Sequence, residues 1–171
     1  MSGLLTQLQQ RRRQVCLLGA LVCVLLLAFA LYSEFYLGLV PCPLCIFQRV
    51  GMAALGLALV LAALPPGQWR LARVVGAVLV ALAALATVGV AARHLYIQSL
   101  PPGSVAACGA SLDYMLDVFP LTDVLRKVLT GSGECAKVQW TLLGLSMPGW
   151  VMLWSAGLGL VGTAASWPSR R

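Results

Sequence analysis

Four stretches of this chain are too long and too apolar to sit comfortably in water. They cover residues 15–31, 46–64, about 73–92 and 147–165. An α-helix rises about 1.5 Å per residue, so roughly 17–25 apolar residues cross the hydrocarbon core of a bilayer. Each stretch is close to that length. Composition agrees: only 10% of residues are charged and the mean hydropathy is +0.90, whereas soluble domains carry about a quarter charged residues. The expected fold is an all-α integral membrane protein: one domain over residues 1–171, a four-transmembrane-helix bundle with spans at about 15–32, 46–64, 73–92 and 147–165. Loops are expected at about 33–45 and 95–146, with a short turn at 65–72.

The first stretch has a rival reading. Arg11-Arg12-Arg13, an apolar middle and Ala28-Phe29-Ala30 imitate a cleavable secretory signal. The chain beyond it is more membrane rather than a secreted domain, which favours a retained span. Pro65-Pro66-Gly67 and Pro101-Pro102-Gly103 break the helical pattern. Trp150, Trp154 and Trp167 are candidate interface anchors.

The net charge of +7 could suggest a nucleic-acid partner, but the basic residues flank apolar spans, so topology explains them better. With four spans, one face holds Arg11, Arg12, Arg13, Arg70, Arg73, Arg170 and Arg171 and no acid. The other holds Arg49, Arg93, Arg126, Lys127 and Lys137 together with all five acids. A Lys/Arg excess marks the cytoplasmic side. Both termini are therefore expected in the cytoplasm, and the loops at 33–45 and 95–146 outside.

That orientation sends Cys42, Cys45, Cys108 and Cys135 to an oxidising compartment, where disulfides persist. Four cysteines allow three connectivities. The simplest pairs Cys42 with Cys45 and Cys108 with Cys135. Exchange between two pairs on one face needs a thiolate with a path to a disulfide sulfur. Cys16 and Cys23 fall inside the first span, where a thiol behaves as a small hydrophobe. Between the long-loop cysteines, apolar residues from Leu112 to Leu129 alternate with charges, and Pro120 interrupts any single helix. Two readings stand: a short amphipathic helix on the membrane surface, or a partly ordered loop packed on the bundle.

The chemistry centres on Pro41-Cys42-Pro43-Leu44-Cys45-Ile46-Phe47-Gln48-Arg49. Arg49 follows Cys45 by four residues, one helical turn along the same face. A nearby cation favours thiolate, and an arginine at a membrane boundary can also bind a polar head group or simply snorkel. His94 ends the third span on the same outward side, either as an inert interfacial residue or as a proton partner for a small molecule held between helices. Zinc is the main chemical rival. Its sites favour two close pairs of ligands, and Cys108, Cys135 and the sole histidine are far apart in sequence.

The chain resembles the DsbB family of bacterial disulfide bond formation proteins. The resemblance rests on Cys42-Pro43-Leu44-Cys45-Ile46-Phe47-Gln48-Arg49, Arg93-His94, Cys108, Gly133-Glu134-Cys135-Ala136, Trp140 and Leu143-Gly144-Leu145-Ser146-Met147-Pro148-Gly149-Trp150. It covers nearly the whole chain. It implies an enzyme of the bacterial inner membrane that reoxidises a periplasmic DsbA-like thioredoxin-fold partner and passes the electrons to a membrane quinone. Ubiquinone is the first expectation for that quinone and menaquinone the second. A DsbA-type partner sits near about −120 mV, so a quinone is needed to drive its oxidation.

Carried over by position, Cys108 forms the mixed disulfide with the partner and Cys135 exchanges with Cys42. Cys45 lies nearest the quinone as a thiolate, Arg49 binds or polarises the quinone, and His94 assists. The resemblance implies redox-active disulfides Cys42–Cys45 and Cys108–Cys135, with no metal. It assigns Gln48 no role, because some relatives carry an acid there, and Cys16 and Cys23 lie outside its pattern. The competing classes are a tetraspan scaffold whose disulfides only hold its loops, a metal-binding membrane protein, and an enzyme delivering reductant outward.

Overall fold

The computed structural model describes residues 7–64, 69–101, 114, 117–131 and 133–168. Cys108 and most of the surrounding loop lie outside the described residues. Among the described residues, three helices are long and apolar enough to cross a membrane: α1 (Arg12–Phe35), α2 (Pro43–Ala63) and α3 (Arg70–Gln98). Two short helices come next, α4 (Leu121–Thr130) and α5 (Gly133–Ala136). Strands β1 (Thr141–Leu142) and β2 (Leu145–Ser146) pair antiparallel, and α6 (Met147–Ser166) completes the order.

The helices extend past the apolar runs because their ends are set by capping groups that hydropathy does not register. In α2 the chain is extended at Cys42 (φ −72°, ψ 162°), and Pro43 opens the helix. Proline is well suited to that first position, since the N–H it lacks would have no helical partner. The Cys42 sulfur accepts from the Cys45 backbone N–H at 3.4 Å, acting as a cap. Cys45 therefore stands in the first turn of a helix rather than in a loop. Likewise α3 continues to Gln98, so His94 is held by a full helical turn beyond it.

The helices associate through small residues. On α6, Ser155, Gly159, Gly162 and Ser166 are buried at spacings of four, three and four. Gly159 and Gly162 face Ala84 and Val80 of α3, also buried. A Cβ added at Gly159 would lie 2.3 Å from the Ala84 Cβ, so the two backbones touch closely. Such contacts gain dispersion energy where lipid supplies no hydrophobic drive between helices. The two helices run antiparallel along their whole length. Arg73, near the start of α3, donates to the Ser166 and Trp167 carbonyls at 3.3 and 2.8 Å. At the other end the Ser146 hydroxyl donates to Gln98 at 2.8 Å.

A core of Cys16, Ala20, Cys23, Met52, Leu55, Leu59 and Val80 joins α1, α2 and α3. Both first-span cysteines belong to it. At the same end as Arg73, buried Arg12 donates to the Ala62 carbonyl. Arginines thus satisfy carbonyls at two helix C-termini, where the backbone dipole favours a cation.

A second buried cluster lies at the opposite end: Cys42, Leu44, Ile97, Val124, Val128 and Cys135. Val124 and Val128 are one turn apart on α4 and both 2% exposed. The long loop thus contributes an amphipathic helix whose buried stripe covers the cysteines. Arg93 secures its far end by donating to the Thr130 carbonyl at 3.4 Å. Gly131 then turns the chain with φ +87° against Ile97. Leu143 (φ 52°) and Gly144 (φ 80°) close the β1–β2 hairpin, the backbone signature of a two-residue type I′ turn. The Trp150 indole pins it by donating to the Leu142 carbonyl at 3.1 Å.

Candidate active site

Helix α2 supplies one face of the site. Cys45, Gln48, Arg49 and Met52 recur at spacings of three, four and seven and line the same cleft. Leu26, Leu27 and Ala30 of α1 and Met147, Pro148 and Val151 at the start of α6 form its apolar walls. His94 and Gln98 enter from α3, and Glu134, Lys137 and Gln139 stand at its loop side. The cleft is apolar along its length and polar at one end.

Cys42 sits at the centre of that polar end. It is 4% exposed, and its sulfur lies 3.1 Å from that of Cys45. Both cysteines are free thiols in this structure. The Cys42 thiol is pushed well above its ordinary value by its hydrogen bond to the Cys135 sulfur, then by that to Cys45, with burial adding to both. Cys42 thus touches the cysteine one turn away and packs in one buried cluster with the cysteine of the long loop. Its partner Cys135, on α5, is 1% exposed.

His94 is 2% exposed, and its geometry fixes its tautomer. Its Nε2 lies 3.1 Å from the Cys135 carbonyl oxygen, which can only accept, so Nε2 carries the hydrogen. The Nδ1 then accepts from the Gln48 amide nitrogen at 2.9 Å. The same Nε2 is 3.8 Å from the Cys42 sulfur. One imidazole thereby ties α2, α3 and the Cys135 segment together.

Arg49 is held by two groups of α1: it forms an ion pair with Glu34 and donates to the Ala30 carbonyl at 3.0 Å. The guanidinium is therefore placed at the cleft rather than left to snorkel. The structure brings Cys42, Cys45, Arg49, His94 and Cys135 to one end of the bundle.

Two residues of the site escape sequence reasoning. Gln48, which the resemblance leaves without a role, is 4% exposed and bonds His94. Glu34, by sequence no more than the exit of a span, holds Arg49. The available signals are weak: Gln48 lies three residues after Cys45, and Glu34 is an acid close to an apolar run. Spacing argues against metal ligation, but the fold closes the gap: donor atoms of Cys42, Cys45 and His94 lie within 4.8 Å of one another.

Comparison with known proteins bears on this geometry. The family profile described as "Disulfide bond formation protein DsbB" matches residues 12–165. A Chromohalobacter salexigens protein named Disulfide bond formation protein B is 48% identical over 149 residues, covering 87% of each chain. Proteins of the same name from Acinetobacter baylyi and Xanthomonas euvesicatoria are 46% and 44% identical, each over about 90% of both chains.

Proposed function

We propose, because the chain belongs to the DsbB family of disulfide bond formation proteins, that it is a membrane thiol oxidase that reoxidises a periplasmic DsbA-like dithiol partner and delivers the electrons to a membrane quinone. The observation that carries this reading is the position of Cys42, whose sulfur lies 3.1 Å from that of Cys45 and which shares one buried cluster with Cys135. A scaffold whose disulfides merely staple loops needs no sulfur shared between two pairs.

The exchange begins outside. The partner's thiolate attacks the Cys108–Cys135 disulfide at Cys108, forming a mixed disulfide and releasing Cys135 as thiolate. Cys135 attacks Cys42, forming Cys135–Cys42 and releasing Cys45 as the leaving thiolate. The partner's second thiol then closes the partner's own disulfide and frees Cys108. Cys108 next attacks Cys135, which restores the outer disulfide and leaves Cys42 and Cys45 as the reduced pair. Each step forms one S–S bond and breaks one, so two electrons and two protons move inward per partner oxidised. His94 supports the exchange by holding the Cys135 backbone and directing its N–H toward Cys42.

The cleft fits a quinone: apolar walls from α1 and α6 would hold a ring and its tail, and Arg49 would donate to a ring carbonyl. When bound, a quinone supplies the two-electron acceptor that returns Cys42 and Cys45 to the disulfide. The ion pair with Glu34 fixes Arg49 for this contact. Helix α6 lies along the full length of α3 and is read as the fourth span. The termini are then cytoplasmic and the cysteine cluster periplasmic, in a bacterial inner membrane.

The test is quinone reduction by purified protein in detergent. Reduced DsbA-like partner is added and quinone absorbance followed, beside a Cys45→Ser variant. Turnover by the unsubstituted chain and none by the variant is the expected result. Absence of turnover with both ubiquinone and menaquinone, in protein shown to be folded, would overturn the reading.

A further inference from the structure

We propose that in its dithiol state this protein binds one zinc ion through Cys42, Cys45 and His94. The inference stands on the geometry of the cluster and goes beyond the oxidase reading, and its readout is metal binding rather than turnover. The three donor atoms lie within 4.8 Å of one another. Zinc takes thiolate sulfur at about 2.3 Å and imidazole nitrogen at about 2.0–2.1 Å, so tetrahedral donors stand about 3.5–3.8 Å apart. The Cys42 sulfur to His94 Nε2 separation is already 3.8 Å. The two sulfurs, at 3.1 Å, need to part by about 0.7 Å. Cys42 is the helix cap and Cys45 is in the first turn, so a side-chain rotation supplies that movement without unwinding α2.

Charge balance favours the ion. Zinc displaces the two thiol protons, which leave to solvent, and Zn²⁺ with two thiolates is neutral. A neutral unit suits a buried site where an unpaired charge would be costly. Arg49, whose charge acts on Cys45, is already compensated by Glu34. Three protein donors leave a fourth position for water.

His94 must change tautomer to ligate. Its Nε2 hydrogen moves to Nδ1, so Nε2 gives up the Cys135 carbonyl it now holds at 3.1 Å, and the Gln48 amide rotates by half a turn to offer its oxygen in place of its nitrogen. Gln48 is thus a built supporting residue: the same side chain serves either tautomer. Supporting groups of this kind are worth about 10–100-fold in metal affinity. A bound ion occupies both sulfurs of the inner pair, so zinc-loaded protein cannot re-form their disulfide until the metal leaves.

The full-length protein in detergent, reduced and then freed of reductant under anaerobic conditions, is titrated with Co²⁺ as a spectroscopic probe. Zn²⁺ is then added in competition with a chromophoric chelator. One tetrahedral, thiolate-bound Co²⁺ per chain, displaced by one Zn²⁺, is expected. A Cys108→Ser/Cys135→Ser double variant is expected to keep at least trigonal thiolate–imidazole binding, and His94→Gln to lose tenfold or more in affinity. Gln48→Leu, which keeps all three ligands, is expected to weaken zinc by at least about tenfold and guards against a folding defect in the histidine variant. Absence of a Co²⁺ spectrum in the reduced chain would overturn the proposal. So would binding that follows Cys108 and Cys135, or an affinity indifferent to both His94→Gln and Gln48→Leu. Loss of quinone reduction with metal binding intact would sink the oxidase reading alone.

Discussion

Replacing Gly159 by alanine tests the helix packing that sets the width of the cleft. The added Cβ would meet the Ala84 Cβ at 2.3 Å, with the Ala84 Cα at 3.8 Å. Carbon atoms pack best at about 3.5–4.0 Å, so α3 and α6 must separate by roughly 1.2 Å or more locally. Both flank the site at their far ends, through His94 and Val151. Overpacking of this kind costs about 1–3 kcal/mol. Against it stands the gain of about 0.8–1 kcal/mol from replacing glycine by alanine in a helix. The expected net effect is a loss of up to about 2 kcal/mol.

Gly157, two residues earlier on the same helix, is the control. An added Cβ there meets nothing within 4 Å, so Gly157→Ala is expected to be neutral or to stabilise by up to about 1 kcal/mol. The assay is reversible denaturation of purified protein in mixed micelles, followed by circular dichroism. Ala84→Gly is then combined with Gly159→Ala. If the contact is as described, the double variant recovers most of the loss, giving a coupling energy of about 1 kcal/mol or more. Equal stability of Gly159→Ala and Gly157→Ala, or no recovery in the double variant, would refute the close approach of α3 and α6.

Gln48→Leu leaves the buried Nδ1 of His94 without its donor, at a cost of about 1–3 kcal/mol; the same denaturation assay checks this, and ring nitrogen shifts in NMR should show His94 no longer held in one tautomer. Gly131→Ala puts a Cβ 2.5 Å from Ile97 at a positive φ, so it should destabilise by at least about 1 kcal/mol and, by lifting α4, make Cys135 faster to alkylate with iodoacetamide. Cys42 in the dithiol state gives a pH dependence whose sign is set by its raised pKa. The folded chain holds that proton more tightly than the unfolded chain. The resulting stabilisation is complete below the ordinary thiol value of about 8.5 and is lost as pH rises above it. The denaturation midpoint of the reduced protein should fall above that pH, and Cys42→Ser should remove this part of the fall.

The long helices are legible in the sequence because membrane burial writes itself as apolar length, as in residues 15–31 and 46–64. Where the helices begin is less legible. The cap at Cys42 and the proline after it are local geometry that hydropathy averages away, so Cys45 reads as loop. The cysteines and Arg49 can be singled out by spacing and family likeness. That His94 reaches Cys42 is a consequence of how α2 packs on α3, which no local pattern carries. The same holds for Glu34 and Arg49, joined across α1 and α2. The arginines flanking the spans read as topology signals, and in the fold Arg12 and Arg73 also close helix C-termini. Their charge is visible in the sequence, but their targets are not.

Cys42 has two sulfur neighbours and a single valence to offer them. A disulfide to Cys45 precludes one to Cys135, and the reverse. On the proposed route, traffic through the protein is therefore single file. A partner arriving while Cys42 is engaged outward must wait until it has turned inward again. Beyond a certain supply of partner, throughput depends on how often one atom changes hands, and further partner only lengthens the queue.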